Sequence, residues 1–424
     1  MSYPGLPIPG ASDTPPRAFP FDACLLEVSV PASYVNPDTL GFDTAAIDRA
    51  WISLVEGAER HEYGGAVALV ARHGQIALHR ATGWAVREPA ADRAPMGVDT
   101  IFDLASLTKV TATLPSILRL IADGRLDLDA PVGEVLPEFG IEGAKRDVTI
   151  RRLLTHSAGL SSWRPVFLTG QGAAAYIADF AASQPEHTPG GQVIYSDPSF
   201  ITLGEVVHRV SGQPVDAFAR EHVFQPLGMT DTRFTPPVGL RPRIAATEIG
   251  NAFEAEKIPG QTPVKAGGWR DYLLRGEVHD GNAWYGFDGV VGHAGLFGTA
   301  IDLFRYGQMW LNGGELDGAR ILPEAIVREA TSDQIAIPGE TERRGLGWRM
   351  PPEPGTPEEN PDSGRGLGQR AFGHTGFTGT SLWMDPDRDL VIVLLTNRVH
   401  PTVTTTYMER RARFTQSIVD ALDA

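Results

Sequence analysis

Strand-forming segments lie at both ends of this 424-residue chain, and this placement constrains its fold more than any other feature. Apolar residues 66–71 and 75–81 flank a turn at residues 72–74, which predicts a hairpin near the N-terminal end. Residues 369–384 and 389–396 predict two further antiparallel strands near the C-terminal end. Helical patterns broken by proline and glycine occupy the middle. We therefore predict an α/β (α+β) fold in which the closing strands pair with the early hairpin in one antiparallel sheet flanked by helices.

The same pattern predicts the domain organisation. Residues 1–42, rich in proline, glycine and serine, are expected to form an N-terminal extension. Residues 43–104 and 300–424 would form an α/β sandwich domain, and residues 105–299 a mainly helical domain inserted into it. Residues 108–122 predict a buried helix, and Pro115 inside it should kink the helix or shift its start. We expect the active site to lie between the two domains.

Composition excludes several classes of protein. Hydrophobic residues make up 42% and charged residues 21% of the chain, which is ordinary for a globular protein. The net charge of −15 argues against a nucleic-acid partner. No apolar stretch approaches the roughly 18 residues of a membrane span, so no membrane partner is expected. The first residues lack the basic and apolar regions of a secretory signal, so we expect a cytoplasmic protein, or a periplasmic or secreted one if a leader has been removed.

A serine and a lysine three residues apart, Ser106 and Lys109, are the first candidates for chemistry. Only four of the 37 basic residues are lysines, and lysine can lose its proton where arginine cannot. A serine hydroxyl is a weak nucleophile that needs a base, and helical residues three apart share a face. Chance also produces this spacing, so a helix-capping serine beside an exposed lysine is the alternative interpretation.

Two further motifs follow in order along the chain. Tyr195 comes after a glycine-rich turn and before a predicted helix, and residues 373–379 read Gly-His-Thr-Gly-Phe-Thr-Gly. Together the three elements resemble the serine β-lactamase and penicillin-binding-protein superfamily, with its Ser-x-x-Lys, Tyr-x-Asn and Lys-Thr-Gly or His-Thr-Gly motifs. The order and the tyrosine resemble its class C β-lactamase-like branch, which includes D-alanyl-D-alanine carboxypeptidases and family VIII esterases. Accessory stretches at 153–160, 226–229, 295–300 and 345–348 extend the resemblance from about residue 44 to the C-terminus.

The resemblance implies a role for each matching residue. Ser106 would be the nucleophile, and Lys109 and Tyr195 would share the general-base task, with the first proton acceptor left open. The backbone N–H groups of Ser106 and Phe377 would form the oxyanion hole. Thr375 and Gly376 would bind the substrate along the strand edge.

Two positions depart from the β-lactamase pattern. Asp197 stands where asparagine is usual, and an ionised carboxylate accepts hydrogen bonds but cannot donate them. It could hold Lys109 charged, which puts a neutral lysine base in doubt. His374 replaces the common lysine and is mostly neutral at pH 7. Both changes weaken the attraction for a substrate carboxylate and favour ester or small amide substrates.

The sequence therefore predicts a serine acyl hydrolase that forms a covalent acyl-enzyme and acts like a carboxylesterase on small molecules. A D-alanyl-D-alanine carboxypeptidase or D-amino-acid amidase is the second hypothesis and a β-lactamase the third. A catalytically silent scaffold or filament-forming relative is the alternative from another class. No cofactor or metal is expected, since the histidines fit no standard ligand spacing. Trp284 and His293 are candidates for the cleft wall.

Overall fold

The computed structural model describes residues 34–140, 143–265, 267–353, 355, 364–404 and 406–422. Most of the predicted N-terminal extension, residues 1–33, lies outside these residues. The rest of it contains a short 3-10 helix, Pro37–Leu40, and two of its side chains, Leu40 and Phe42, are buried. The predicted division into a sandwich domain and a helical domain stays a prediction.

Helices and strands are numbered in chain order. The α-helices are α1 Thr44–Glu59, α2 Leu114–Ala122, α3 Val132–Val135, α4 Ile150–Leu154, α5 Gly172–Ala182, α6 Asp197–Ser211, α7 Val215–Ala219, α8 Ala252–Lys257, α9 Ala300–Leu311, α10 Glu324–Ala330 and α11 Tyr407–Asp420. The strands are β1 Gly65–Arg72, β2 Gln75–Val86, β3 Ala94–Pro95, β4 Phe102–Asp103, β5 Arg233–Phe234, β6 Leu296–Gly298, β7 Glu315–Leu316, β8 Ala319–Arg320, β9 Phe372–Gly376, β10 Thr380–Asp385 and β11 Leu390–Thr396. π-helical turns cover Lys109–Thr113, Arg220–Phe224 and Asn282–Gly286.

The main sheet joins the two ends of the chain. Within the described residues it has six strands in the order β3-β2-β1-β11-β10-β9, all paired antiparallel. The β1–β11 pairing, in which Val70 lies opposite Ile392, confirms that the closing strands pair with the early hairpin. Every residue of β11 is buried, because α1 and α11 cover one face of the sheet and α9 the other. Burial on both faces explains why this strand is apolar throughout instead of alternating.

The predicted single strand at residues 369–384 is wrong. The structure contains β9 and β10 there, joined by a tight turn at residues 377–379. The turn is closed by the Gly379 N–H, which donates to the Gly376 carbonyl at 3.0 Å, and Gly379 has a φ of 105° that only glycine adopts readily. Phe377 consequently lies in the turn at the end of the sheet and not in a strand.

No helix among the described residues is long and apolar enough to cross a membrane.

Candidate active site

Ser106 lies in the turn between β4 and the following helix. The preceding residue, Ala105, has a φ of 47°, a strained conformation for a residue with a side chain. Two hydrogen bonds hold it there: its N–H donates to Asp103 Oδ1 at 2.9 Å, and its carbonyl accepts from Thr108 Oγ1 at 2.6 Å. Strained backbone of this kind persists where the surroundings determine it strongly, and here it presents Ser106 at the surface of a cavity.

The helix after Ser106 begins at Leu107 and passes through a π-helical turn at Lys109–Thr113. The Leu114 N–H donates to the Lys109 carbonyl, and regular α-helix starts at Leu114 with Pro115 in its first turn. Helical structure already begins at Leu107, so Pro115 does not shift the start of the helix; its missing N–H follows directly after the π-helical turn. A kink at Pro115 stays a prediction. π-helical turns are frequent at functional sites, and this one carries Lys109.

Lys109 is fully buried beside Ser106. Its Nζ lies 3.0 Å from Ser106 Oγ, 3.1 Å from the His293 carbonyl oxygen and 2.8 Å from Asp197 Oδ1. Lys109 thus donates hydrogen bonds to Ser106 and to the His293 carbonyl, and the Asp197 carboxylate is its ion-pair partner. Burial alone would lower the pKa of Lys109, but the Asp197 carboxylate and then Tyr195 raise it above its usual range. Lys109 is therefore a charged group that donates a hydrogen bond to Ser106.

Asp197 and Asp280 provide the negative charge around Lys109. Asp197 is the first residue of α6, whose N-terminus is capped by Ser196. Asp280 Oδ1 lies 3.0 Å from His293 Nε2. Burial alone would raise the pKa of Asp280, but His293 and neighbouring groups lower it to about 2.

The charged groups around Lys109 resemble the ligand set of a metal site. Ligating atoms of Asp197, Asp280 and His293 lie within 4.8 Å of one another, a spacing that could hold a metal ion. The Lys109 ammonium, 2.8 Å from Asp197 Oδ1, supplies positive charge to this cluster. The expectation that the protein needs no metal stays a prediction.

Tyr195 lies between cationic and imidazole groups. Its ring centroid is 5.0 Å from Lys109 Nζ and 5.7 Å from the Arg344 guanidinium carbon. The rings of His156 and His374 lie 4.6 Å and 5.8 Å from it. The tyrosine predicted from its motif is thus beside the Ser106–Lys109 pair.

His374 is buried in β9 and lines the cavity. Its Nδ1 lies 2.7 Å from the Thr375 carbonyl oxygen. Because a carbonyl only accepts, Nδ1 carries the proton and Nε2 is left as an acceptor. Burial, followed by the charges of Lys109 and Arg344, holds the pKa of His374 well below its usual range. His374 therefore brings no positive charge to the cavity near pH 7.

Two backbone N–H groups are candidates for the oxyanion hole. Among the described residues, neither the Ser106 N–H nor the Phe377 N–H donates a hydrogen bond, and both residues line the cavity. The β9–β10 turn is tied to the segment before Ser106, since Thr378 Oγ1 donates to the Asp103 carbonyl at 2.7 Å. Gly376 allows this close approach, because a methyl group on it would lie 2.5 Å from the Leu104 carbonyl oxygen.

The cavity has a volume of about 400 Å³. The predicted site residues on its wall are Ser106, Tyr195, Asp197, His293, His374, Thr375, Gly376 and Phe377. Lys109 is buried behind Ser106. The structure places Trp284 elsewhere: its ring packs against the cations of Lys265 and Arg270, at 4.9 Å and 4.7 Å, and it does not line the cavity.

Sequence reasoning missed several residues of the cavity wall. They are Trp163, Phe253, Glu254, Lys257, Asp280, Arg349, Arg398 and Arg411. Asp280 is the most closely connected of these to the catalytic candidates, through His293. Its position next to His279 in a glycine-rich segment was the available signal, but only the fold shows which histidine it contacts.

The fold and the Ser106–Lys109–Tyr195 geometry define a serine hydrolase. Comparison with known proteins agrees, since the model of the Beta-lactamase family matches residues 52–417. A relative from Salmonella agona, named as a D-alanyl-D-alanine carboxypeptidase, is 30% identical over 391 residues, which cover 87% of this chain and 86% of the relative. An N-acetylmuramyl-L-alanine amidase from Bacillus subtilis is 31% identical over 391 residues, with 87% and 85% covered. The chain belongs to the beta-lactamase family.

Solved structures share the fold at lower sequence identity. A penicillin-binding protein homologue from Caulobacter crescentus superposes with a TM-score of 0.69 at 24% identity, covering 92% of this chain and 99% of that chain. A family VIII carboxylesterase superposes with a TM-score of 0.66 at 22% identity, covering 90% and 99%. These matches confirm the predicted antiparallel sheet flanked by helices.

Proposed function

We propose that the protein hydrolyses small esters or amides through an acyl-enzyme on Ser106. The observation that carries this proposal is the 3.0 Å contact between Lys109 Nζ and Ser106 Oγ at the wall of a cavity of about 400 Å³. In the first step Ser106 Oγ bonds to the substrate carbonyl carbon and the bond to the leaving group breaks. In the second step water attacks the Ser106 ester and releases the acid. The Ser106 and Phe377 N–H groups would stabilise the oxyanion in both steps.

Tyr195 is the base that we assign to both steps. Lys109 directs an N–H at Ser106 Oγ and is held charged by Asp197, so it has no lone pair with which to accept the serine proton. In its phenolate form, beside the Lys109 ammonium, Tyr195 would take the proton from Ser106 and pass it to the leaving group, which restores the phenolate. It would later take a proton from the attacking water and return it to Ser106 Oγ as the acid leaves. Lys109 would stabilise the charge that develops on both oxygens. Asp197 would act through Lys109 and not by donating to the substrate.

The neutral His374 supports ester or simple amide substrates. Its Nδ1–H is used by the Thr375 carbonyl, so it offers a substrate carboxylate neither a charge nor a proton. We therefore rank a carboxylesterase-like activity first. Lactams with a carboxylate next to the ring rank third, because they would meet the same neutral side chain.

Hydrolysis of D-alanyl peptides or D-amino-acid amides is the second candidate. Arg349 lines the same cavity as His374, and Nη2 of Arg349 reaches Glu342 only at 3.5 Å. A guanidinium here could bind the carboxylate of a peptide C-terminus. The relatives named for carboxypeptidase and amidase activities support this candidate. The cytoplasmic location stays a prediction that cell fractionation can test.

Active-site labelling followed by a matched substrate series tests the proposal. A fluorophosphonate probe should label the wild-type protein and not Ser106→Ala, and intact-mass analysis should place the adduct on the peptide that contains residue 106. The substrate class is then determined by comparing the turnover of p-nitrophenyl butyrate, a D-alanyl-D-alanine peptide and nitrocefin. Faster turnover of the peptide or of nitrocefin than of the ester would reverse our ranking, and absence of labelling would refute the serine mechanism.

Lys265→Gln is the control for the lysine variants. Lys265 is bonded to Asp288 and the Trp284 carbonyl and does not line the cavity, so its loss should leave kcat within about twofold of wild type. Lys109→Ala should lower kcat by at least a hundredfold, which is the lower end of what loss of one group that stabilises developing charge costs, about 10²–10³-fold.

A further inference from the structure

His156 is a buried histidine that the mechanism above does not use. It follows α4 by two residues and is 1% exposed. It does not line the cavity, although its ring packs 4.6 Å from the ring of Tyr195 and 5.1 Å from that of Phe200.

Two hydrogen bonds tie His156 to the residues on either side of Tyr195. The Ile194 N–H donates to the His156 carbonyl oxygen at 2.9 Å. The Ser196 N–H donates to His156 Nδ1 at 2.9 Å. A single residue thus holds the backbone before and after the tyrosine, while its ring packs against the tyrosine side chain.

The segment that carries Tyr195 has little other regular structure to hold it. Residues 183–196 form neither helix nor strand, and α6 begins only at Asp197. A backbone without a helix or sheet ladder is positioned by whatever individual hydrogen bonds it makes. For the N–H groups of Ile194 and Ser196, the residues on either side of Tyr195, these bonds go to His156.

The conformation and the hydrogen bonding of His156 are unusual. Its φ of 58° is in the left-handed region, which is uncommon for residues other than glycine but which histidine adopts more often than most. Since Nδ1 accepts from Ser196, the proton is on Nε2, and Nε2 is buried with no hydrogen-bond partner among the described residues. An unpaired buried donor is unfavourable, so a histidine at this position calls for a compensating role.

The imidazole stays neutral, as an acceptor at Nδ1 requires. Burial, followed by the charges of Arg344, Lys109, His374 and Arg349, holds the pKa of His156 well below its usual range. The hydrogen bond from Ser196 therefore persists through the pH range in which hydrolases are assayed.

We propose that His156 is a positioning residue that fixes the Tyr195 hydroxyl relative to Ser106 and Lys109. The inference rests on the proposed role of Tyr195 in proton transfer. Displacement of a reacting group by about 1 Å can cost a hundredfold in rate, so loss of the side-chain hydrogen bond from the Ser196 N–H and of the ring contact should lower kcat strongly. Substrate binding involves other parts of the cavity, so KM should change little.

Three substitutions separate the hydrogen bond from the backbone strain. Asparagine tolerates the left-handed conformation and places Oδ1 where His156 has Nδ1, so H156N keeps the acceptor. Glycine adopts the same conformation without strain but has no side-chain acceptor, so H156G removes only the bond and the ring. In H156Q the amide is one carbon further out and cannot reach the Ser196 N–H.

The experiment measures kcat and KM for p-nitrophenyl butyrate, with active enzyme counted by fluorophosphonate titration and folding checked by thermal melting. We expect kcat to fall by about 10- to 100-fold in H156G and H156Q, and KM to change less than about threefold. H156N should recover kcat to within about fivefold of wild type. Wild-type kcat in H156G, or equal losses in H156N and H156Q when both are folded, would overturn the inference.

A parallel Tyr195→Phe variant separates this inference from the proposed function. If Tyr195→Phe retains wild-type kcat, the assignment of Tyr195 as the base is wrong, and the positioning role of His156, which depends on it, is refuted as well. If Tyr195→Phe loses activity while H156G keeps it, only the positioning role of His156 is refuted.

Discussion

Replacing Asp197 with asparagine tests whether Lys109 is charged in the resting site. The substitution keeps the size of the side chain and removes the carboxylate 2.8 Å from Nζ. The buried Lys109 would then lose the group that most raises its pKa, while burial would continue to lower it. The folded protein would have to hold an uncompensated ammonium or release its proton.

The expected loss of stability follows from the burial of the two partners. Breaking a buried ion pair from one side costs about 3–5 kcal/mol, and Lys109 is fully buried, so Asp197→Asn should cost an amount in this range at pH 6. The loss should shrink toward pH 9, because a lysine whose pKa is lowered in the folded state destabilises the fold only while it is protonated. Lys109→Met should cost less, because the Asp197 side chain it leaves unpaired is 18% exposed and partly solvated.

Urea unfolding of the two single variants and the double variant, followed by tryptophan fluorescence at pH 6 and pH 9, measures these quantities. The losses should not add: the double variant should be about 2–3 kcal/mol more stable than the sum of the two singles predicts. Equal m-values would show that the variants differ in stability and not in the compactness of their native or denatured states. Additivity within about 0.5 kcal/mol, or an Asp197→Asn loss that does not depend on pH, would refute a charged Lys109.

Gly376→Ala should lower kcat by about a hundredfold, because the added methyl would lie 2.5 Å from the Leu104 carbonyl oxygen and displace the segment before the nucleophile. Gly239→Ala is the control: its added methyl meets nothing within 4 Å, so the variant should have wild-type kinetics. Asp302→Asn should gain stability relative to wild type between pH 4 and pH 8 in thermal melts. Burial raises the pKa of Asp302 to about 6, so its stabilising contribution is complete below about pH 4 and lost as the pH rises through 6, a change of about 3 kcal/mol. His374→Lys should lower the melting temperature, because it would bury a further cation near Lys109.

The fold could be predicted from the sequence where apolar residues alternate or run together over a whole element. Strands β1, β2 and β11 and their pairing follow from such patterns. The prediction failed at β9 and β10, where strand-forming residues continue on both sides of the turn. Only the backbone angle of Gly379 divides them, and a glycine within a strand pattern does not show by itself which angle it adopts.

Only the site residues that belong to sequence motifs could be predicted. Ser106, Lys109 and Tyr195 were identified by their spacing and order, and the structure brings them together. The partners that hold them are distant in sequence, as with Asp280 on His293 and His156 on the flanks of Tyr195, so local patterns do not reveal them. The tryptophans illustrate the same limit: Trp163 lines the cavity and Trp284 packs between two cations, although both lie in irregular segments.

The two departures from the β-lactamase motifs are physically coupled. In the sequence, the aspartate at 197 and the histidine at 374 are two independent signs of weak carboxylate binding. In the structure, burial and then the charges of Lys109, Arg344 and Arg349 lower the pKa of His374, and Arg344 is itself fully buried near Tyr195. A lysine at 374 would add a further cation to this group, whereas a neutral imidazole does not.

The positive charge that the usual motif places on β9 is thus provided here by the segment before it. Arg349 pairs with β9 through Gly373 and lines the cavity, and Arg344 lies behind it with Glu342 as their shared acidic partner. A neutral His374 therefore lowers the expected affinity for carboxylates less than the motif alone suggests. Turnover of a D-alanyl peptide relative to its C-terminal amide reports on Arg349, because only the free acid presents a carboxylate to that guanidinium.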